Sequence, residues 1–233
     1  MANIRAGAAT DVGKVRRRNE DSALVGIGIF AVADGMGGHA AGDVASRLAV
    51  AALQRLDDVA VRGGAGPLDV RDEIVRANAD ILAAAAADPA QGGMGTTAAG
   101  LCLGIVDGDE CWIVFNVGDS RVYRFAGGEL SQITVDHVAP ESITMRRGVI
   151  TRALGTDPAP RPDLWVCTAV PGERYLVCSD GLPLEVADEE IATVLAASAD
   201  PTQVAEELVR RAVLAGGRDN VTVVVVDHLP DPA

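Results

Sequence analysis

Four aspartates each lie where an apolar, strand-like run gives way to a Gly, Ser or Asn turn. They are Asp34 in FAVADGMGG, Asp119 in IVFNVGDSR, Asp180 in YLVCSDGL and Asp219 in GGRDNVTVVVV. Asp is disfavoured inside strands, and an unpaired carboxylate against an apolar core is costly unless a cation shares its site. One such residue is typical of a turn, whereas four indicate a metal centre.

The chemistry of the donor atoms indicates which metal and which reaction. Mg²⁺ and Mn²⁺ prefer octahedral oxygen coordination, so a site rich in Asp and poor in His and Cys favours these ions over zinc. The chain has three His residues. Two such cations about 3.5–4 Å apart can activate water and neutralise the charge of a phosphoryl group, the two requirements of phosphate-monoester hydrolysis.

Composition and charge narrow the class of protein. The chain has 233 residues, of which 48% are hydrophobic, enough for one large domain, and we expect residues 1–233 to form a single catalytic domain. Its net charge of −13 argues against binding to nucleic acid or to anionic membranes. We expect no transmembrane helix, and because the N-terminal residues lack an apolar leader segment, we expect a cytoplasmic location.

The elements that must position the aspartates can be predicted from periodicity. Strands are predicted over 4–9, 22–33, 164–169, 174–178 and 221–226, an antiparallel meander over 96–133, and helices over 44–56, 69–86, 188–197 and 201–214. Strands and helices are grouped and do not alternate strictly. This order favours an α+β sheet sandwich with helices outside over a doubly wound parallel sheet.

Seven motifs occur in sequence over almost the whole chain: VRRRNED, ADGMGGHAAG, GTTA, VGDSR, ITRALG, CSDG and RDNVT. With these motifs the sequence resembles the PPM-type, phosphatase 2C-like, metal-dependent serine/threonine protein phosphatases, in particular their bacterial members. The resemblance implies a four-layer α-β-β-α sandwich of two antiparallel sheets flanked by helices. It also implies hydrolysis of phosphoserine and phosphothreonine in proteins by a metal-bridged water, opposing Ser/Thr kinases in signalling. The expected partners are phosphorylated proteins and a cognate kinase or its substrates.

The resemblance also implies roles for individual residues. Asp34 would bridge two tightly bound Mn²⁺ or Mg²⁺ ions, with the Gly35 carbonyl as a neutral ligand. Asp21 would bind one ion, and Asp180 with Asp219 the other. Asp34, Asp180 and Asp219 are therefore the expected catalytic residues.

Three further residues are candidates around this centre. Arg16 aligns with the family's arginine five positions before Asp21, and its planar fork suits phosphate oxygens. Asp119 corresponds to a family position associated with a third, weaker metal near Asp180, although a carboxylate that caps its own GDS turn is an equal alternative. His39 could contact substrate or relay a proton to the leaving alcohol, or it could be an exposed loop residue.

The sequence departs from the family pattern at three places. Met36 stands where another branch has a His proposed as general acid, so water, His39 or no specific group must protonate the leaving alcohol. The flap, residues 136–153, is shorter than in many bacterial relatives, which leaves substrate selection open. Leu184 replaces an acidic residue, for which the neighbouring Glu185 could substitute.

Two other functions fit parts of the pattern. A catalytically silent phosphoprotein-binding module would be expected to lack a core carboxylate, yet Asp21, Asp34, Asp180 and Asp219 are all present. A divalent-cation sensor or a different phosphohydrolase, acting on nucleotides or small phosphoesters, would use the same residues. Turnover of a phosphopeptide against turnover of nucleotides distinguishes these activities.

Overall fold

Two five-stranded antiparallel sheets form the centre of the computed structural model, which describes residues 3–37, 41–140 and 149–230. The first sheet contains, in spatial order, β1 (Asn3–Asp11), β12 (Val221–Leu229), β11 (Arg174–Cys178), β8 (Arg121–Ala126) and β9 (Glu129–Gln132). The second contains β10 (Asp163–Thr168), β7 (Asp109–Val117), β6 (Ala98–Val106), β3 (Ile29–Ala33) and β2 (Ser22–Val25). A small ribbon pairs β4 (Gly35–Met36) with β5 (Gly95–Thr96).

Helices cover the outer face of each sheet. The second sheet carries α1 (Gly42–Leu53), α2 (Arg55–Gly63) and α3 (Pro67–Ala87), and the first carries α4 (Asp188–Ala197) and α5 (Pro201–Ala215). Apolar side chains fill three layers, one beneath each group of helices and one between the sheets. The predicted four-layer α-β-β-α sandwich is therefore confirmed. Within the described ranges, every helix is too short or too polar to cross a bilayer.

Strand β12 is apolar on both faces because both faces are covered. Val223 and Val225 pack beneath the helices, whereas Val224 and Val226 pack between the sheets. Side chains alternate across a strand, so a strand that is covered on both faces needs an uninterrupted apolar run. The run VTVVVV places β12 in the middle of the sandwich, between β1 and β11.

The structure refines two predicted elements. Residues 22–33 form the β2–β3 hairpin and not one strand, and the Gly28 N–H in its turn donates to the Asp57 carboxylate at 2.7 Å. The predicted meander over 96–133 is divided because β7 and β8 belong to different sheets. The GDS turn, residues 118–120, is therefore a crossover between the sheets at one end of the sandwich.

The two ends of the predicted flap lie antiparallel. Val138 pairs with Ile150, and the Ala139 N–H donates to the Val149 carbonyl at 2.8 Å. Residues 141–148 of the flap lie outside the described residues. We call residues 136–140 and 149–152 the flap base.

The strand ends that carry the aspartates converge. Asp34 follows β3, Asp119 follows β7, Asp180 closely follows β11, and Asp21 and Asp219 come just before β2 and β12. Because neighbouring strands are antiparallel, the end of one strand lies beside the start of the next. One end of the sandwich thus collects all five carboxylates.

Candidate active site

The backbone of Asp34 is fixed by Thr96, at the end of β5, and by Thr97, directly before β6. Its N–H donates to Thr97 Oγ1, and its carbonyl accepts from the Thr97 N–H, both at 2.9 Å. Thr96 Oγ1 donates to the same carbonyl at 2.9 Å. These bonds satisfy the main chain where β3 ends, so the carboxylate is free to face the other acids.

Gly35 allows a close crossing of three chain segments. A Cβ at this position would lie 2.2 Å from the Gly42 carbonyl oxygen and 2.5 Å from the Glu20 carbonyl oxygen. The Gly35 N–H donates to that Glu20 carbonyl at 3.2 Å. The segment that carries Asp21 is thereby held against the segment that carries Asp34.

Asp21 has one satisfied oxygen and one that is buried without a partner. Ser179 Oγ donates to Asp21 Oδ2 at 2.8 Å, whereas Oδ1 is enclosed and accepts no hydrogen bond. Burial raises the pKa of Asp21 to about 6 against the hydrogen bonds from Thr222 and Ser179, and the charges of Asp180 and Asp219 act in the same direction as burial. A buried acceptor without a donor is the kind of oxygen that a cation binds.

Asp219 is the member of the group that contacts a basic residue. Arg16 Nη2 donates to Asp219 Oδ2 at 2.6 Å, and the Asn220 N–H donates to Asp219 Oδ1 at 2.8 Å. The hydrogen bond to Asp219 raises the pKa of Arg16. The Arg16 side chain is 53% exposed, so about half of it remains open to solvent beside the carboxylates.

Asp34 and Asp180 are both buried next to other negative charges. Desolvation raises the pKa of Asp34 well above its usual value, followed by the charges of Asp21, Asp180 and others. Burial and then the charge of Asp219 raise the pKa of Asp180. The raised pKa values of both carboxylates indicate a functional site, because the surrounding side chains do not neutralise their charge.

Asp119 is 6% exposed and lies within electrostatic range of Asp180. Burial raises its pKa to about 7, and the charge of Asp180 is the second cause. Its Oδ1 is buried without a hydrogen-bond partner. That oxygen is thus not engaged in capping the GDS turn, although a hydrogen bond from the backbone N–H of Asp119 to its own carboxylate lowers the pKa.

The donor set fits hard divalent cations. The group consists of carboxylates and carbonyls, and two buried carboxylate oxygens, Asp21 Oδ1 and Asp119 Oδ1, lack donors. In the described ranges, no group of three or more His, Cys, Asp or Glu side chains is arranged so that it could hold a metal ion as it stands. The fit to a cation therefore rests on the unsatisfied oxygens and on the charge that the group must share.

Two other positions named from the sequence are His39 and Glu185. His39 falls outside the described residues. Glu185 does not face the acids: its carboxylate accepts from the Arg218 N–H and from Arg218 Nε, at 2.9 and 2.8 Å. The Glu185–Arg218 pair fixes the loop before Asp219.

Asn220 is a functional residue that sequence reasoning missed. Its Nδ2 donates to the carbonyls of Val12 and Arg18 at 3.0 and 2.9 Å, and its Oδ1 accepts from the Glu20 N–H at 2.9 Å. One buried side chain thus holds the whole loop that presents Arg16. Its position beside Asp219, directly before β12, was the available signal.

Comparison with known proteins assigns the family. Residues 17–214 match the family Protein phosphatase 2C. The chain is 42% identical over 238 residues to the serine/threonine protein phosphatase PstP of Mycobacterium tuberculosis. The aligned region covers 96% of this chain and 45% of that protein. It is 32% identical over 240 residues to the serine/threonine phosphatase stp of Listeria welshimeri, covering 94% of each. The chain thus spans about half the length of PstP and nearly all of stp.

The solved structures agree with this assignment. The catalytic domain of PstP in complex with two manganese ions has a TM-score of 0.84 and 38% identity, covering 97% of this chain and 99% of that one. This chain belongs to the protein phosphatase 2C family.

Replacing Asn220 by Ala should destabilise the protein and loosen residues 12–20. The change leaves two carbonyls and one N–H without their partner, and an unsatisfied buried group costs about 1–3 kcal/mol. Urea denaturation gives the loss in unfolding free energy, and hydrogen exchange reports the loop. Gln54→Ala is the control, because Gln54 is exposed and its side chain has no hydrogen bond in the described ranges. Equal stability of the two variants would contradict the anchoring role.

Proposed function

We propose that this chain is a Mn²⁺- or Mg²⁺-dependent protein serine/threonine phosphatase. The observation that carries the proposal is the group of aspartates at one end of the sandwich, with buried unsatisfied oxygens beside a half-exposed arginine. The two manganese ions in the structure of the PstP catalytic domain support the same assignment.

Five groups would hold two cations. Asp34 would bridge them, with the Gly35 carbonyl and Asp21 on one side and Asp180 and Asp219 on the other. Two divalent cations bound by these residues would stabilise the phosphoryl charge as Lewis acids and would lower the pKa of a water molecule that serves as the nucleophile. The backbone bonds of Asp34 and the Ser179–Asp21 bond keep the ligands from collapsing onto other partners.

Arg16 would orient the phosphoryl group. One of its amino groups bonds Asp219, so the guanidinium is held at the edge of the carboxylate group while its other N–H donors remain available. A planar fork in this position matches two phosphate oxygens and places phosphorus over the acids. Asp34, Asp180 and Asp219 would then act on the substrate that Arg16 binds.

We further propose that residues 1–233 form one catalytic domain, acting in the cytoplasm on phosphorylated proteins and opposing a Ser/Thr kinase in signalling. The names of the relatives, which are Ser/Thr phosphatases, support the protein substrate. All four cysteines are free, as is usual in a reducing compartment.

Hydrolysis of a phosphothreonine peptide should require Mn²⁺ or Mg²⁺ and cease with EDTA. Asp34→Asn should be the most damaging substitution because it weakens both metal sites. The loss of turnover in this variant should exceed the loss of about 10–100-fold that is typical when a residue hydrogen-bonded to a metal ligand is replaced. Asp58→Asn is the matched control, since the Asp58 side chain is 80% exposed on α2.

Two results would overturn this assignment: turnover that survives EDTA, or near-normal turnover of Asp34→Asn. Faster hydrolysis of nucleotides than of the peptide would indicate a different phosphohydrolase.

Arg16→Ala should raise KM for the phosphopeptide by about 10–100-fold, the value of a charge-assisted hydrogen bond, while tight metal binding persists. Arg16→Lys should recover part of this loss because the charge remains but the fork does not. Arg17→Ala should change little, since Arg17 is exposed and its side chain forms no hydrogen bond in the described ranges. Calorimetric titration with Mn²⁺ checks the metal sites, and their loss in Arg16→Ala would make Arg16 a structural residue.

We propose that Asp119 and Asp180 hold a third, weaker ion. With fewer protein ligands it would keep more water and bind at higher Mn²⁺ concentrations. Asp119→Ala should retain both tight sites in calorimetry and lose catalytic rate. A crystal grown in excess Mn²⁺ that shows two ions, with the Asp119 carboxylate turned into its own turn, would be inconsistent with this third site.

A further inference from the structure

His137, in the flap base, forms hydrogen bonds with both polar backbone groups of Gly118. The Gly118 N–H donates to His137 Nδ1 at 3.0 Å, and the His137 N–H donates to the Gly118 carbonyl at 2.9 Å. Gly118 has a φ of 115°, in the region that favours glycine. The residue directly before Asp119 is therefore held by the ring and the backbone of His137, and Asn116 Nδ2 also donates to the Gly118 carbonyl at 3.0 Å.

The opposite side of the same turn contacts Thr97. A Cβ on Gly118 would lie 2.5 Å from Thr97 Cγ2, and the hydroxyls of Thr97 and Ser120 are 2.7 Å apart. Thr97 is also the residue that fixes the backbone of Asp34. Asp119 thus lies on a turn between Thr97 and His137. Its Oδ1 makes no hydrogen bond in the described ranges, and its carboxylate is bonded by its own backbone N–H within the same turn. Its position comes from the turn.

The tautomer of His137 follows from its partners. Because Nδ1 accepts from Gly118, the neutral ring carries its proton on Nε2. Nε2 lies 3.0 Å from Asp163 Oδ2, and Arg152 Nη1 donates to Asp163 Oδ1 at 2.8 Å. Arg152 Nη1 and His137 Nε2 are 3.2 Å apart because both donors approach the same carboxylate. Asp163 therefore sets the orientation of the ring.

The second half of the flap base, residues 149–152, also contacts the backbone of His137. The Thr151 N–H donates to the His137 carbonyl at 2.8 Å, and Arg152 follows directly. A change in the position of residues 149–152 would thus act on both the backbone and the ring of His137.

We propose that His137 is a positioning residue for Asp119, and that Asp163 and Arg152 couple the position of Asp119 to the flap base. The expected effect on a weakly bound cation rests on the proposed function of Asp119 as a metal ligand. The position of the GDS turn does not depend on that function.

The first experiment measures hydrogen exchange of the Gly118 amide in three variants. His137→Asn retains an acceptor near the Nδ1 position and should preserve protection. His137→Gln retains a donor that reaches Asp163 but lacks that acceptor, so exchange should be about tenfold faster. His137→Phe should resemble His137→Gln.

The second experiment measures the Mn²⁺ concentration for half-maximal turnover. His137→Gln should raise it by about 10–100-fold, as loss of a residue behind a metal ligand does, and His137→Asn should restore most of the loss. Arg152→Met should raise it by less than His137→Gln. His228→Asn is the control, because it removes another buried histidine at the opposite end of β12 and should leave the Mn²⁺ dependence unchanged.

Wild-type protection of Gly118 in His137→Gln, or an Asn variant that behaves like the Phe variant, would overturn the positioning role. Unchanged exchange and Mn²⁺ dependence in Arg152→Met would overturn the coupling to the flap base. Gly118 exchange that follows the expectation with no change in Mn²⁺ dependence would instead refute Asp119 as a metal ligand.

Discussion

The structure depends on one electrostatic constraint, the repulsion among desolvated carboxylates gathered at one end of a sandwich. Burial and like charge raise the pKa values of Asp21, Asp34, Asp119 and Asp180 together. Folding brings these acids together because the apolar layers fix the strand ends to which they belong. A divalent cation reverses the sign of this interaction, so the same geometry that is costly without metal favours metal binding.

The two ends of β12 show how the constraint differs from ordinary ion pairing. At its carboxyl-terminal end, Asp227 accepts from Arg174 Nε and Nη2 at 2.5 and 2.9 Å, so this buried acid is neutralised inside the protein. At its amino-terminal end, Asp219 bonds an arginine that is half exposed, and Asp180 nearby keeps a raised pKa. The acid at the carboxyl-terminal end of β12 is thus neutralised by an ion pair, whereas the acids near its amino-terminal end lack enough positive charge to neutralise them.

Neutral groups hold the acids apart without neutralising them. Thr97 fixes the backbone of Asp34, Ser179 bonds one oxygen of Asp21, and Asn220 anchors the loop of Arg16. His137 acts in the same way on the turn that carries Asp119. Hydroxyl, amide and imidazole groups can fix geometry and still leave carboxylate oxygens for a cation, which a lysine or arginine in their place would occupy.

The sequence by itself determined the α+β class, the order of most helices and strands, and the identity of the acids, because periodicity and turn residues are local properties. The apolar run after Asp219 likewise predicts a strand that is covered on both faces. Tertiary structure decided which oxygens lack partners and which side chains hold the loops. Ser179 reaches Asp21 across 158 positions, and Asn220 reaches Glu20 across 200. Contacts between such distant residues depend on how the two sheets pack, and local patterns carry no information about that packing.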